Sequence, residues 1–315
     1  MPTSAPPDVA RDVTALNVAL DASGIPAKSD DNLLIATWNL RGFGGISATW
    51  DSEPRTTPKR GWRAVALIAE IIRRFDVVAV QEVKRDTTAL RFLVEQLGGS
   101  WRFITTDTSE GDAGNDERLT YLYDSTRVDP SGLVGEIVLP AVAGSPVDQF
   151  ARAPYAASFA RKDVEFILTT VHILWGDVPQ DRIPELVAFA DWMRGWADRA
   201  NDWNGNLLVL GDFNVDRDDS PLARALFGTG LSGPPQLNAV PRTIFADDKN
   251  KNFYDQIAWF WEIGADDLHQ YLRGMKFTDA AGYIDFVPHV FAGLSKTKLS
   301  WRISDHYPLW VEFRV

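Results

Sequence analysis

Phe75-Asp76-Val77-Val78-Ala79-Val80-Gln81-Glu82-Val83 carries an uninterrupted apolar run, Val77 to Val80, that two polar residues close. Its β-branched composition and shortness read as a buried strand, with Gln81 and Glu82 at its C-terminal end. Just upstream, Ala64, Leu67, Ile68, Ile71 and Ile72 recur at helical spacing opposite Glu70, Arg73 and Arg74, predicting an amphipathic helix that leads into the strand. The same grammar extends in both directions. Leu33 to Trp38 is an apolar strand that meets Asn39 and a loop with Gly42, Gly44 and Gly45. Leu119–Tyr123, Tyr155–Phe159 and Phe166–Val171 are β-rich, the last ending at His172. Leu186, Ala190, Met193 and Ala197 mark a second amphipathic helix, and Leu207–Leu210 is a strand running into Gly211-Asp212-Phe213-Asn214. Further strands are expected at Phe253–Ile257 and near Trp310–Phe313. Several strand pairs are joined too tightly for a helical crossover, which predicts antiparallel or mixed sheets. The expected architecture is a single-domain α/β sandwich spanning 33–315, two sheets face to face with helices outside. Residues 1–32, with Pro2, Pro6, Pro7, Gly24 and Pro26, read as an N-terminal extension holding at most one short helix.

Bulk properties narrow the function. A chain of 315 residues with 45% hydrophobic content buries a substantial core. No run of about 18 apolar residues predicts a membrane span, and no secretory leader is visible, so the cytoplasm is the default location and a monomer the expected state. With no cysteine, thiolate ligands and cysteine nucleophiles are excluded. A formal charge of -11 disfavours a broad basic nucleic-acid surface. It suits an enzyme whose local positive charge comes from a divalent cation gathered by carboxylates.

Five segments set chemistry-bearing residues beside strand ends: Asn39; Gln81 and Glu82; His172; Asp212 and Asn214; and Ser304, Asp305 and His306. Each alone has a bland reading. Asp212 or Asn214 is an ordinary turn former, Glu82 a solvated strand end, Ser304 with Asp305 a local cap. Together they are more informative, because hard oxygen donors and two of the four histidines recur after apolar strands. His269 and His289 have no such setting. Oxygen ligands suit magnesium or manganese, with calcium as an alternative, whereas the absence of cysteine and of a His-x-x-x-His helix disfavours structural zinc.

The stretches Ala36-Thr37-Trp38-Asn39-Leu40-Arg41-Gly42-Phe43-Gly44, Phe75 to Val83, Gly211-Asp212-Phe213-Asn214, Tyr254-Asp255-Gln256-Ile257 and Ile303-Ser304-Asp305-His306-Tyr307-Pro308 resemble, in order, the signatures of deoxyribonuclease I and the endonuclease/exonuclease/phosphatase superfamily. The resemblance covers roughly residues 33–315. It implies a four-layered α/β sandwich of two packed mixed sheets flanked by helices, with the site at one edge, and a metal-dependent phosphodiesterase, foremost an endonuclease acting on DNA. Position by position, it implies Asn39, Glu82 and Asp305 as metal-site residues. It makes His306 the group acting on the attacking water, oriented by Asp255, and Glu117 the partner of His172. Asp212 and Asn214 bind or orient phosphate, metal or nucleophile, and Arg41, Lys84 and Arg152 contact substrate.

Lys84 and Asn115 depart from the deoxyribonuclease I pattern, which has an arginine and a groove-stacking tyrosine there. Lysine lacks the planar fork and asparagine the aromatic face, so a weakened preference for duplex DNA is expected. A phosphatase or phospholipid diesterase of the same superfamily is the alternative, and a catalytically inactive binding module the alternative of another class. Most of the twelve tryptophans are expected in the core, leaving Trp175 and Trp301 as candidate pocket walls. The Asp216, Asp218 and Asp219 cluster reads as a solvated acidic turn.

Overall fold

The computed structural model describes residues 4–53, 55–141, 144–199, 201–247, 252–261 and 271–315. Twelve strands are assigned among them: β1 (Asn32–Phe43), β2 (Val77–Lys84), β3 (Trp101–Thr105), β4 (Glu117–Asp124), β5 (Asp129–Glu136), β6 (Tyr155–Arg161), β7 (Val164–His172), β8 (Leu207–Asp212), β9 (Leu231–Ser232), β10 (Asp255–Phe260), β11 (Lys276–Tyr283) and β12 (Leu309–Arg314). They form two mixed six-stranded sheets, ordered β11-β12-β1-β2-β4-β3 and β5-β6-β7-β8-β10-β9. Each sheet has one parallel pair at its centre, β1 with β2 and β7 with β8, flanked by antiparallel neighbours. The helices are α1 (Pro7–Asp21), α2 (Trp62–Ile72), α3 (Thr88–Leu97), α4 (Gly111–Gly114), α5 (Ile183–Ala197), α6 (Pro221–Phe227) and α7 (Lys296–Ser300).

Strand alternation explains the layering. Along β1, Leu33 and Ile35 point into the core between the sheets, while Leu34, Ala36 and Trp38 point to the opposite face, against a cluster that includes Leu67, Ile68 and Leu90 of α2 and α3. On the other sheet Leu208 and Leu210 face inward, and Leu207 and Val209 face a cluster containing Leu186, Phe189 and Met193 of α5. Central strands are therefore apolar on both faces, the reason their runs lack polar alternation. All five apolar residues expected on the first amphipathic helix are buried in α2, and the four expected on the second in α5.

Three expectations shift. The N-terminal segment contains a 15-residue helix, α1, longer than the short helix expected, because Leu16 and Leu20 find a place in the core beside α2. Asn39 and Glu82 lie within β1 and β2 rather than after them. Strand β10 starts at Asp255, two residues later than expected, where Asp255 pairs with Asp212.

Candidate active site

The ends of the two central parallel pairs build the site. Asn39 pairs with Gln81, and His172 with Asp212, at the same level of the two sheets. Gln81 ties the levels together, its Nε2 donating to Thr170 Oγ1 of the opposite sheet at 2.9 Å. Both β1 and β2 are irregular here, with register breaks between Asn39 and Phe43 and between Val80 and Val83. Arg41 and Glu82 take positive φ of 37° and 61°, and Asn214 takes 52°. A bulge re-aims a side chain, and left-handed backbone at non-glycine residues concentrates at functional sites. Gly211 (φ 137°) lets β8 press against β7 directly before Asp212, since a Cβ there would lie 2.2 Å from the Val171 carbonyl oxygen.

Two imidazole–carboxylate pairs face one another across Asp212. His172 Nδ1 lies 2.7 Å from Glu117 Oε2, and His306 Nδ1 lies 2.7 Å from Asp255 Oδ2. With each Nδ1 against a carboxylate, the Nε2 atoms point to the same oxygen, Asp212 Oδ2, at 3.6 and 3.9 Å. Asp212 is buried, yet the charges of His306 and His172 and hydrogen bonds from Asn39 and Asn214 outweigh burial and lower its pKa. Burial opposes charge on His306, but Asp255, Asp212 and Asp305 raise it well above the ordinary histidine value. Burial pushes Asp255 up to about 6 against the pull of His306, and its Oδ1 has no hydrogen-bond donor.

Glu117 is the hub of the second pair. Besides His172 it takes Lys84 Nζ at 2.9 Å and Asn115 Nδ2 at 2.5 Å, and Arg152 Nε lies 2.8 Å away as an ion pair without hydrogen-bond alignment. Burial raises its pKa, but the hydrogen bond and charge of His172, with the charges of Arg152 and Lys84, outweigh it and hold the carboxyl down at about 2. Burial and the Arg152 charge lower the His172 pKa, but Glu117 and Asp212 outweigh them and raise it.

Of the residues expected at the metal site, Glu82 and Asp305 line the same cleft, of about 420 Å³, with Asp212 and both histidines. Asn39 sits directly behind these acids, and its Oδ1 keeps one lone pair free. Its Oδ1 accepts the Arg41 backbone N–H, so its amide nitrogen faces the carboxylates, donating to Glu82 Oε1 and Asp212 Oδ2 at 3.0 Å each. It braces two acids whose oxygens retain lone pairs for a cation. Glu82 Oε2 also accepts the Gly42 N–H, and Asp305 pairs with Arg41 at 3.0 Å. Glu82 groups with Glu117 and His172, and Asp212 with Asp255 and His306, closely enough to hold a cation, and the carboxylate oxygens that predominate in both sets suit a hard ion.

The three cations expected to meet substrate are already engaged by acids. Lys84 turns to Glu117 and the Asn115 carbonyl, Arg152 to Glu117 and the His172 carbonyl, and Arg41 to Asp305 while stacking on Trp301 at 4.1 Å. Arg152 is buried. The buried carboxylate of Glu117 demands counter-charge, which is why Lys84 and Arg152 fold inward. Ser304 serves the turn, accepting the His306 N–H and donating to the Asn39 carbonyl. Asn214 Nδ2 donates to the Ile173 carbonyl and its N–H to Asp212 Oδ1. Asp216 and Asp219 bond to neighbouring Arg217 in an exposed turn. His289 lies outside the cleft lining, and His269 falls outside the described residues.

Sequence reading missed three buried arginines. Arg60 hydrogen-bonds the carbonyls of Leu40, Arg41, Gly42, Arg302 and Ile303, joining the bulged end of β1 to the loop that carries Asp305 and His306. Burial pushes it down to about 10, with Glu82 and Asp305 opposing. Arg242 donates to the Asp255 carbonyl, and Arg182 to the Trp175 and Asn214 carbonyls. Their partners are backbone oxygens from distant segments, a pattern without a local signal.

Residues 36–306 match the model of the Endonuclease/Exonuclease/phosphatase family. A deoxyribonuclease of Thioalkalivibrio sp. (strain K90mix) is 29% identical over 196 residues, 61% of this chain and 48% of that protein. The chain's match thus spans about half of that relative's length. Deoxyribonuclease-1-like 1 of Rattus norvegicus is 26% identical over 255 residues, 78% of this chain and 72% of that one. Among solved structures, a mannosyl-6-phosphatase of Bacteroides thetaiotaomicron superposes with a TM-score of 0.56 at 17% identity, covering 90% of this chain and 100% of that one. That likeness concerns the fold.

Proposed function

We propose that this chain, which belongs to the Endonuclease/Exonuclease/phosphatase family, is a phosphoric ester hydrolase, and more closely a divalent-metal-dependent phosphodiesterase that cleaves DNA as an endonuclease. The observation that carries the reading is the opposed pair of buried imidazole–carboxylate dyads, with both Nε2 atoms within 3.9 Å of one Asp212 oxygen. Such a site can handle two protons, one leaving the attacking water and one reaching the departing alkoxide. The deoxyribonuclease names of two relatives support DNA as the substrate.

In this mechanism the scissile phosphate enters the cleft between the dyads. Asp255 orients His306 through Nδ1, so that the neutral imidazole takes the proton of the attacking water on Nε2. Glu117 does the same for His172, whose protonated Nε2 faces the phosphate and gives its proton to the departing alkoxide. Asp212 and Asn214 fix the positions of water and phosphate between them. Glu82 and Asp305, the former braced by Asn39, would hold the cation, which supplies Lewis-acid stabilisation of the pentacoordinate charge. A substrate panel tests the proposal: bis-para-nitrophenyl phosphate, duplex DNA, single strands, RNA, an inositol phosphate and a phospholipid, each with magnesium. Internal cleavage of DNA is expected. Turnover of an inositol phosphate or phospholipid, with none on nucleic acid, would overturn the nuclease reading.

A further inference from the structure

Trp175 is one of four exposed tryptophans among the described residues and the one that lines the cleft. It lies three residues beyond His172 and lines the cleft, yet it is 53% exposed. Its position is nonetheless fixed. The guanidinium of Arg182 sits 3.9 Å over the indole ring, while Arg182 itself is buried and bonded to the Trp175 and Asn214 carbonyls. Tyr254 packs edge-on at 5.7 Å, and its ring lies 5.9 Å from that of His306. One indole face is thus covered by a cation, and the exposure belongs to the rest of the ring, two ring spacings from the imidazole. A second exposed ring, Phe245 at 46%, lines the same cleft, on the segment whose Thr243 bridges to His306.

A held, half-exposed indole beside a phosphate site suits a flat ligand. Bases within a duplex stack on one another, and an unpaired base offers its face to an aromatic side chain. Charge points the same way. Arg41, Lys84 and Arg152 are all paired with acids in the cleft, and the chain carries -11 overall, a poor surface for tracking duplex phosphates. Resting on the phosphodiesterase reading above, we propose that Trp175, with Phe245 on the same rim, forms a stacking subsite for an unpaired base adjoining the cleaved phosphate. The substrate class is then single-stranded nucleic acid, or the loops and ends of structured ones.

The test removes the ring and the base separately and together. Wild-type and Trp175→Ala proteins are assayed with magnesium on a short single strand that has one cleavable phosphate, and on versions lacking the base on its 5′ or its 3′ side. Stacking of this kind is worth about 1–3 kcal/mol per base, so roughly a tenfold loss in kcat/KM is expected from either change alone. Combined, they should lose no more than either alone on one of the two sides, and Trp175→Phe should recover part of the loss. Losses that multiply on both sides would overturn the subsite while leaving the nuclease reading intact. Turnover of bis-para-nitrophenyl phosphate by a wild-type protein that cleaves no oligonucleotide would overturn both.

Discussion

Glu117→Gln removes a negative charge that is only 1% exposed while conserving shape. The carboxylate meets His172, Lys84, Arg152 and Asn115, and is held from its ordinary 4.5 down to about 2. At about 1.4 kcal/mol per tenfold change in proton affinity, that drop corresponds to about 3 kcal/mol of native-state stability. His172 shares the same contact, so its raised pKa is not added again. The sign follows from a folded pKa below the unfolded one. The stabilisation is complete above about pH 4.5 and disappears as pH falls towards 2. Urea unfolding of both proteins between pH 7 and pH 3 measures it as a difference in which acid effects common to the two cancel. The wild type should lead by about 3 kcal/mol at neutral pH, apart from any constant offset, and more than half of that lead should vanish by pH 3. A gap constant to within about 0.5 kcal/mol across the range would refute the charge-hub reasoning.

The same site yields three further expectations. His172→Ala and His306→Ala should each lower turnover of bis-para-nitrophenyl phosphate by about a hundredfold or more, with His289→Ala near wild type; equal behaviour of all three would remove the dyad assignment. Chelation should abolish hydrolysis and magnesium or manganese restore it, while Glu82→Gln should shift the metal titration to higher concentration; full activity after dialysis against EDTA would exclude the cation. Arg60→Met strips hydrogen bonds from five backbone carbonyls and should destabilise the fold by more than about 3 kcal/mol in urea, whereas a loss below about 1 kcal/mol would show that these carbonyls find other donors.

Much of the fold was legible locally, because strand and helix identity rest on apolar periodicity over a few residues. Val77–Val80, Leu207–Leu210 and the apolar faces of α2 and α5 each declare their layer in this way. Residue types at strand ends, with their order along the chain, also pointed to a metal-assisted phosphoester site. Tertiary structure alone decided which atoms face one another. Glu117 and His172, or Asp255 and His306, are more than fifty residues apart, and only the packing of one sheet on the other brings them within 2.7 Å. The inward turn of Lys84 and Arg152 follows from the buried charge of Glu117, a property of packing that neither residue's neighbours in sequence reveal. Asn39 illustrates the same limit: its type suggested a place in the metal site, but only the fold shows the Arg41 N–H on its oxygen and its amide nitrogen between Glu82 and Asp212. Periodicity is a short-range property and survives in the sequence. Hydrogen-bond partnership at the junction of two sheets is long-range and exists only once the layers have closed.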